Sequence, residues 1–412
     1  MRNPGKYLIL VMFGLSVICE PVQAGEVDVL LEKLVEKGVL SPVEASVIKD
    51  ETVQTVAGKS SELPDWVQKM KLKGDLRIRV QLNKAKNISD ERVRGRIRFR
   101  LGIVTQVAKT LTVGAGLATG GTDPRSTNDT LDKTFETPDI RLDYAYAEWS
   151  PSQVDGLSLV AGKFPRKKYL WNTTDLLWDG DINPEGGSVL YKKELADNVN
   201  GFASGGVWIM DDLNDLSASG AETDPFLVYL QTGLGYKKDI YDAKFAVTKY
   251  AFNGVSGASF THSADSNTLD GADKLIYDYD SIGTSSEFGI KEPFDLPVER
   301  LALFADTIFN YSADTDEDFG FAFGLKFGDK SVSKPGSWQF KYIKAKLERD
   351  AWLDTFPDSD RFDGMTNVKS HEFVLSYALM KNVVLGLDYY YSTELSGTDE
   401  QHVGQFDVVM KF

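Results

Sequence analysis

Between Arg92 and Arg100 every second residue is an arginine. Alternate side chains of an extended chain share one face, so Arg92, Arg94, Arg96, Arg98 and Arg100 stand in a single row. Their guanidinium groups stay charged at any working pH. A looser row comes just before: Lys71, Lys73, Arg77 and Arg79, interrupted by Asp75. Side by side, the two rows make a basic wall. Such a wall attracts anions, or faces carboxylates across a gap and sets up a transverse field. The obvious opposing acids are Asp175, Asp179, Asp181 and Glu185, gathered in one later segment. A blander reading pairs the cations with other acids, Asp407 first among them, and leaves them only to hold water.

Catalytic chemistry has little to work with. The chain holds three histidines, His262, His371 and His402. No serine motif, metal triad or Gly-rich phosphate loop accompanies them, so they read as surface histidines. Asp179-Gly180-Asp181-Ile182-Asn183 opens like a calcium loop. It lacks the Gly at the sixth position and the acid at the twelfth that EF-hand geometry needs. No enzyme activity, metal or cofactor is expected.

The elements that carry the basic rows have a period of two from Met70 onward. Leu72, Gly74, Leu76, Ile78 and Val80 alternate with the first row, and Val93, Gly95, Ile97, Phe99 and Leu101 with the second. Phe319, Phe321, Phe323, Leu325 and Phe327 alternate with small residues and a lysine. This is the pattern of strands with two different faces. Sixteen are expected, near 70–82, 92–106, 109–119, 139–149, 157–164, 186–194, 198–210, 226–237, 240–252, 284–292, 299–311, 318–328, 336–348, 369–380, 382–393 and 403–412. Long connections (120–138, 165–185, 211–225, 253–283, 349–368) fall on one side and short ones (107–108, 195–197, 238–239, 381) on the other. That asymmetry separates a closed antiparallel membrane barrel from a soluble sandwich. In a barrel the apolar set faces lipid. A charged group there would cost roughly 2–4 kcal/mol at mid-depth, so the basic rows belong in the lumen. Trp149, Phe164, Tyr311 and Tyr389-Tyr390-Tyr391 suit aromatic girdles. Acid clusters, Asp314 to Asp318 and Asp354 to Asp363, read as solvated outer-loop charge or as loose divalent-ion bridges to lipopolysaccharide.

Both ends of the chain fit that architecture. Arg2 and Lys6 precede an apolar run from Tyr7 to Cys19, and Val22-Gln23-Ala24 follows. This reads as a secretory signal peptide over residues 1–24, and Ile18 before Cys19 argues against lipidation. Its removal takes away Arg2, Lys6 and Glu20, so the formal charge moves from −15 to −16. The remainder then has no cysteine, which excludes disulfides and thiolate sites. Strong acidity argues against nucleic acid as a partner. Residues 25–63 read as a periplasmic segment and linker. Leu30, Leu31, Leu34 and Val35 are spaced for one short helix, and Ser41-Pro42-Val43-Glu44 is a capping box that starts another. This pair is either a small appendage or a stalk that trimerises the barrel, which occupies 64–412. The last strand, Gln405 to Phe412, closes on an aromatic, the assembly signal that the outer-membrane barrel machinery reads.

Several stretches resemble the bacterial outer-membrane "putative porin" family: Gly38-Val39-Leu40-Ser41-Pro42, Arg92-Val93-Arg94-Gly95-Arg96 and Trp178-Asp179-Gly180-Asp181-Ile182-Asn183-Pro184-Glu185-Gly186. So do Lys334-Pro335-Gly336-Ser337-Trp338, Asp350-Ala351-Trp352, Asp358-Ser359-Asp360 and the closing strand. The resemblance implies a barrel pore in the outer membrane of a Gram-negative bacterium. Pro184-Glu185-Gly186-Gly187 also resembles the tip of the third loop in sixteen-stranded general porins, which there folds inward to narrow the pore; here an inward fold and a surface loop both stand open. The expectation is a porin, trimeric, passing small hydrophilic solutes or ions by diffusion, with mild anion preference. Its surroundings would be outer-membrane lipid and lipopolysaccharide. The rivals are a barrel sheath for a partner such as an electron-carrying cytochrome, and a barrel enzyme acting on lipids.

Overall fold

The computed structural model describes residues 33–37, 39–49, 64–85, 91–212, 223–293 and 298–412. The expected signal peptide and linker lie outside the described residues. Two units divide the chain at Gln68. Helices in the first cover residues 33–36 and 42–49, then Asp65–Gln68. The capping box forms as expected. Glu44 accepts from the Ser41 N–H and hydroxyl at 2.8 Å each, and the Glu44 N–H donates to Ser41 Oγ at 3.2 Å. Those hydrogen bonds hold the Glu44 carboxyl below the ordinary glutamate value.

The second unit is a closed sheet. Its described residues hold sixteen long strands: β1 Lys71–Ala85, β2 Arg92–Ala108, β3 Leu111–Thr119, β4 Ile140–Trp149, β5 Leu157–Lys163, β6 Glu185–Ala196, β7 Val199–Ile209 and β8 Phe226–Lys238, then β9 Tyr241–Asn253, β10 Ser281–Lys291, β11 Arg300–Asn310, β12 Phe319–Gly328, β13 Trp338–Leu347, β14 Val368–Met380, β15 Val383–Glu394 and β16 Glu400–Lys411. Each pairs antiparallel with its sequence neighbours, and β16 returns to β1 with Asp75 opposite Lys411 and Ala85 opposite Gln401. A two-residue strand, Asp129–Thr130, adds to β2 at Arg96 and Ile97. All sixteen expected strands are present. Three tight turns place Asn198, Asp239 and Asn382 at positive φ, where Asn and Asp are tolerated best.

The faces sort as the alternation requires. Leu72, Ile78, Val80, Leu82, Val93, Phe319 and Phe323 are exposed on the outer surface. Gly320, Ala322 and Gly324 are turned inward and buried. Two expected girdle residues do not join the outer belt. Phe164 is buried and Tyr390 faces inward, whereas Trp149, Tyr311 and Tyr389 are exposed outside. His402, expected in a loop, lies in β16, because that strand begins at Glu400.

The seam carries the terminal aromatic. Gly74 and Phe412 exchange backbone hydrogen bonds of 2.9 and 3.0 Å. The Phe412 ring lies over Gly74 and 6.2 Å from the ring of Phe99. A Cβ on Gly74 would sit 2.3 Å from that ring, so only glycine leaves the space.

Candidate functional site: a lumen divided between a dry core and a charged wall

Four outer loops build the interior: residues 120–139, 164–184, 254–280 and 348–367, here called L2, L3, L5 and L7. L3 folds inward. The Phe164 N–H donates to the Pro184 carbonyl at 3.1 Å and closes its base. The chain then crosses to the far wall. Gln231 on β8 accepts from the Trp171 N–H and donates to its carbonyl, at 2.9 and 2.8 Å. Asp306 on β11 accepts from the N–H groups of Thr173 and Thr174 and from the Thr174 hydroxyl. A loop with its backbone groups satisfied by wall side chains meets the requirement that buried peptide polar atoms find partners.

L3 returns through a cluster of aromatics. The Trp178 ring stacks on Phe356 of L7 at 4.6 Å and meets Trp208 and Trp352 edge-on at 5.3 and 5.5 Å. Trp352 also contacts Tyr250 and Phe252 of β9, and its indole N–H donates to the Leu177 carbonyl at 2.8 Å. Together with Leu176, Leu275, Tyr279, Phe304 and Ile308 these side chains form one buried apolar core inside the barrel.

Loop acids are drawn into this assembly, among them Asp354 and Asp358, which were expected to be solvated. Asp350 accepts from the Thr268 N–H and hydroxyl of L5, and Asp354 from Ser263 and Ser266. Asp350, Asp354 and Asp358 are all buried. Arg361 of L7 reaches Asp175 of L3 at 2.9 Å and Glu372 of β14 at 2.8 Å. Long polar loops can bury charge where most of its oxygens find donors, and here L5 supplies donors to the acids of L7.

The opposite wall is charged. Arg77, Arg79, Arg94, Arg96, Arg98 and Arg100 share the inner face of β1 and β2. Asp75 binds Arg98 and Arg100 at 2.8 Å each. Arg79 is held by Asp407 across the seam at 2.7 Å and by Asp360 of L7 at 3.0 Å. Arg77 bonds Asn128 of L2 and lies 3.8 Å from Asp407. Arg94 and Arg96 differ. Arg94 donates to Asn83 at 3.2 Å, and Arg96 to Gln81 at 3.0 Å and Ser126 at 3.3 Å, all neutral. Among the described residues neither makes an ion pair. At the ends of the rows, Lys71 and Lys73 are exposed, and Arg92 is exposed 3.9 Å from Asp132.

The four L3 acids part company. Asp181 reaches the wall, 3.4 Å from Arg100 and 4.0 Å from Arg98, and accepts from Thr127 of L2. Burial would raise its carboxyl, but Arg98 and Arg100 outweigh burial and hold it below the ordinary value. Asp179 accepts from the N–H groups of Asp181 and Ser359. Burial, with Asp181 beside it, pushes it up to about 7. Asp175 belongs to Arg361, and Glu185 pairs with Lys163 at 2.7 Å, away from the arginines. The sequence reading missed Asp360 as an opposing charge, although it singled out Asp358-Ser359-Asp360 as a motif. It also missed the neutral partners Gln81, Asn83, Ser126 and Asn128.

A closed sixteen-stranded barrel with inward loops and a charged inner wall is the architecture of a pore-forming outer-membrane protein. The chain belongs to the family described as "Putative porin", whose model matches residues 80–281 and 277–412. No curated protein sequence matches it. Among solved structures it is similar to OprB of Pseudomonas putida, at 11% identity and a TM-score of 0.55, covering 86% of this chain and 97% of that one. Variants of the Rhodopseudomonas blastica porin match at 10% identity, TM-score 0.44, over 83% of this chain and all of theirs. The OprB likeness carries the fold.

Proposed function

We propose that the protein is an outer-membrane porin that passes small hydrophilic solutes by diffusion and favours anions at its narrowest part. One observation carries the reading: Arg94 and Arg96 face the lumen in the outer part of β2 with neutral partners, while their neighbours are neutralised by carboxylates. Fields in a wet pore are screened within roughly 8–10 Å at ordinary salt, so unpaired charge on the lumen wall outweighs acid on distant loops. The dry core argues against a sheath, since L3, L5 and L7 fill the space that a threaded partner would need.

The outer surface supports a trimer. Across β3 to β7 it carries Ala115, Ala145, Ala147, Ala161, Gly187 and Gly205 at adjoining positions. Small residues let membrane segments approach closely.

The test is reversal potential in a salt gradient across a planar bilayer holding the refolded protein. Arg94→Gln/Arg96→Gln should shift it toward cation selectivity, most at low salt. Arg98→Gln should shift it less, because it removes one positive charge rather than two. An unchanged potential in a folded double variant would remove the arginines from the conduction path.

A further inference from the structure

On the outer wall above the aromatic belt, β13 and β14 set basic side chains opposite one another. The ladder pairs Tyr342 with Phe373, then Lys344 with His371, then Lys346 with Lys369, rising toward the long loops. All lie on the outward face, because Ile343, Ala345, Ser370 and Glu372 between them are buried inside. The lowest row is aromatic and continues sideways, with Tyr342 to Phe373 at 5.1 Å and Phe373 to Tyr389 at 6.3 Å. Such a row marks the boundary between acyl chains and headgroups.

The rows above it ought to be unstable. Like charges directly opposite on a sheet repel, and lysines on a lipid-facing wall are tolerated only near the interface. One carboxylate serves the group: Glu348 holds Lys346 at 2.6 Å. Lys344 and Lys369 are exposed and make no ion pair among the described residues. The Tyr342 hydroxyl meets His371 Nδ1 at 2.8 Å, which leaves Nε2 unengaged. Cross-strand neighbours lie about 5 Å apart and successive outward residues about 7 Å, so the cations crowd a patch the size of one or two phosphate groups. A zwitterionic phospholipid brings its own ammonium and would not neutralise them. A headgroup with several phosphates would.

We propose that Lys344, Lys346, Lys369 and His371 bind the phosphate groups of lipopolysaccharide in the outer leaflet. This rests on the outer-membrane placement argued above. It makes no use of conduction.

The test compares mature protein extracted from outer membranes in mild detergent, with retained lipopolysaccharide measured by native mass spectrometry. Lys344→Gln/Lys369→Gln should retain it about thirtyfold more weakly, from two interfacial lysines. Lys344→Arg/Lys369→Arg should retain it fully, as should Lys249→Gln, which alters an outward lysine of β9 that lies over Tyr311. Undiminished retention by the glutamine variant, or equal loss in Lys249→Gln, overturns the proposal. If the glutamine pair fails to assemble, each single glutamine variant should still lose about fivefold, and no loss in either overturns it. Lipopolysaccharide vesicles should raise the thermal midpoint of the wild type and not of the double variant. An equal rise with phosphatidylglycerol would make the site a general anionic-lipid surface and overturn the assignment. Conductance of the double variant should match wild type, so a failed channel reading and a failed lipid site give different results.

Discussion

Arg96 and Arg98 are two residues apart on one face of β2, and their surroundings differ sharply. Arg98 lies against Asp75 and close to Asp181, whereas Arg96 donates only to amide and hydroxyl oxygens. The row of arginines was legible because strand period fixes a face. Its pairing was not, because the deciding partners stand elsewhere in the chain. Arg79 meets Asp407 across 328 positions and Asp360 across 281. Asp179 gives a prediction at this scale. Its folded carboxyl is pushed to about 7, above its unfolded value, so the stability it lends to L3 is complete at low pH. That contribution falls as pH rises toward 7 and is gone above it, when a charged Asp179 stands beside Asp181. Single-channel current should therefore fluctuate more at pH 8 than at pH 5. Asp179→Asn should remove the difference, and persistence of the step in that variant would place its origin elsewhere.

At the scale of elements, strands and loops were unequally readable. A strand buried on one side and bathed in lipid on the other repeats its chemistry every second residue, so all sixteen could be located with ends off by up to three positions. Loops have no period. Nothing local tells whether Trp352 or Asp354 points out to water or into a barrel, because each is satisfied only by another loop: Trp352 by Leu177, Asp354 by Ser266. The acids of L7 read as solvated charge, although the loop contributes Ala351, Trp352 and Leu353 to the buried core. The aromatic contacts make this assembly testable. Trp178→Ala removes the ring shared by L3, L7 and the wall, a change that costs roughly 3–5 kcal/mol in a packed site. The barrel hydrogen bonds do not depend on it. The variant should still assemble and migrate as a folded barrel, with larger and noisier conductance. Conductance indistinguishable from wild type would mean that L3 stays docked without the cluster.

For the whole molecule, the consequential contact is the seam. Gly74 leaves room for the Phe412 ring, and the two residues trade backbone hydrogen bonds. Deleting Phe412, or changing Gly74→Leu, should lower the yield of assembled barrel, read as the heat-modifiable fraction on a gel. Full assembly in both would leave the seam aromatic without a role. The helical unit gives a complementary expectation. A chain starting at Pro64 should still close its barrel; for the trimer proposed above, its loss alone would assign the contacts to the helices, and its survival would assign them to the small-residue surface of β3 to β7.

Closure also has an order in time. β1 precedes β16 in the chain, so one edge of β1 stays unpaired until the seam forms. An exposed strand edge is a template for pairing with other chains, and charged side chains are the usual protection. The stretch that waits is Lys71, Lys73, Asp75, Arg77 and Arg79, backed by the arginines of β2. The groups that later face the lumen are thus those that would keep an unfinished barrel from joining its neighbours before it closes.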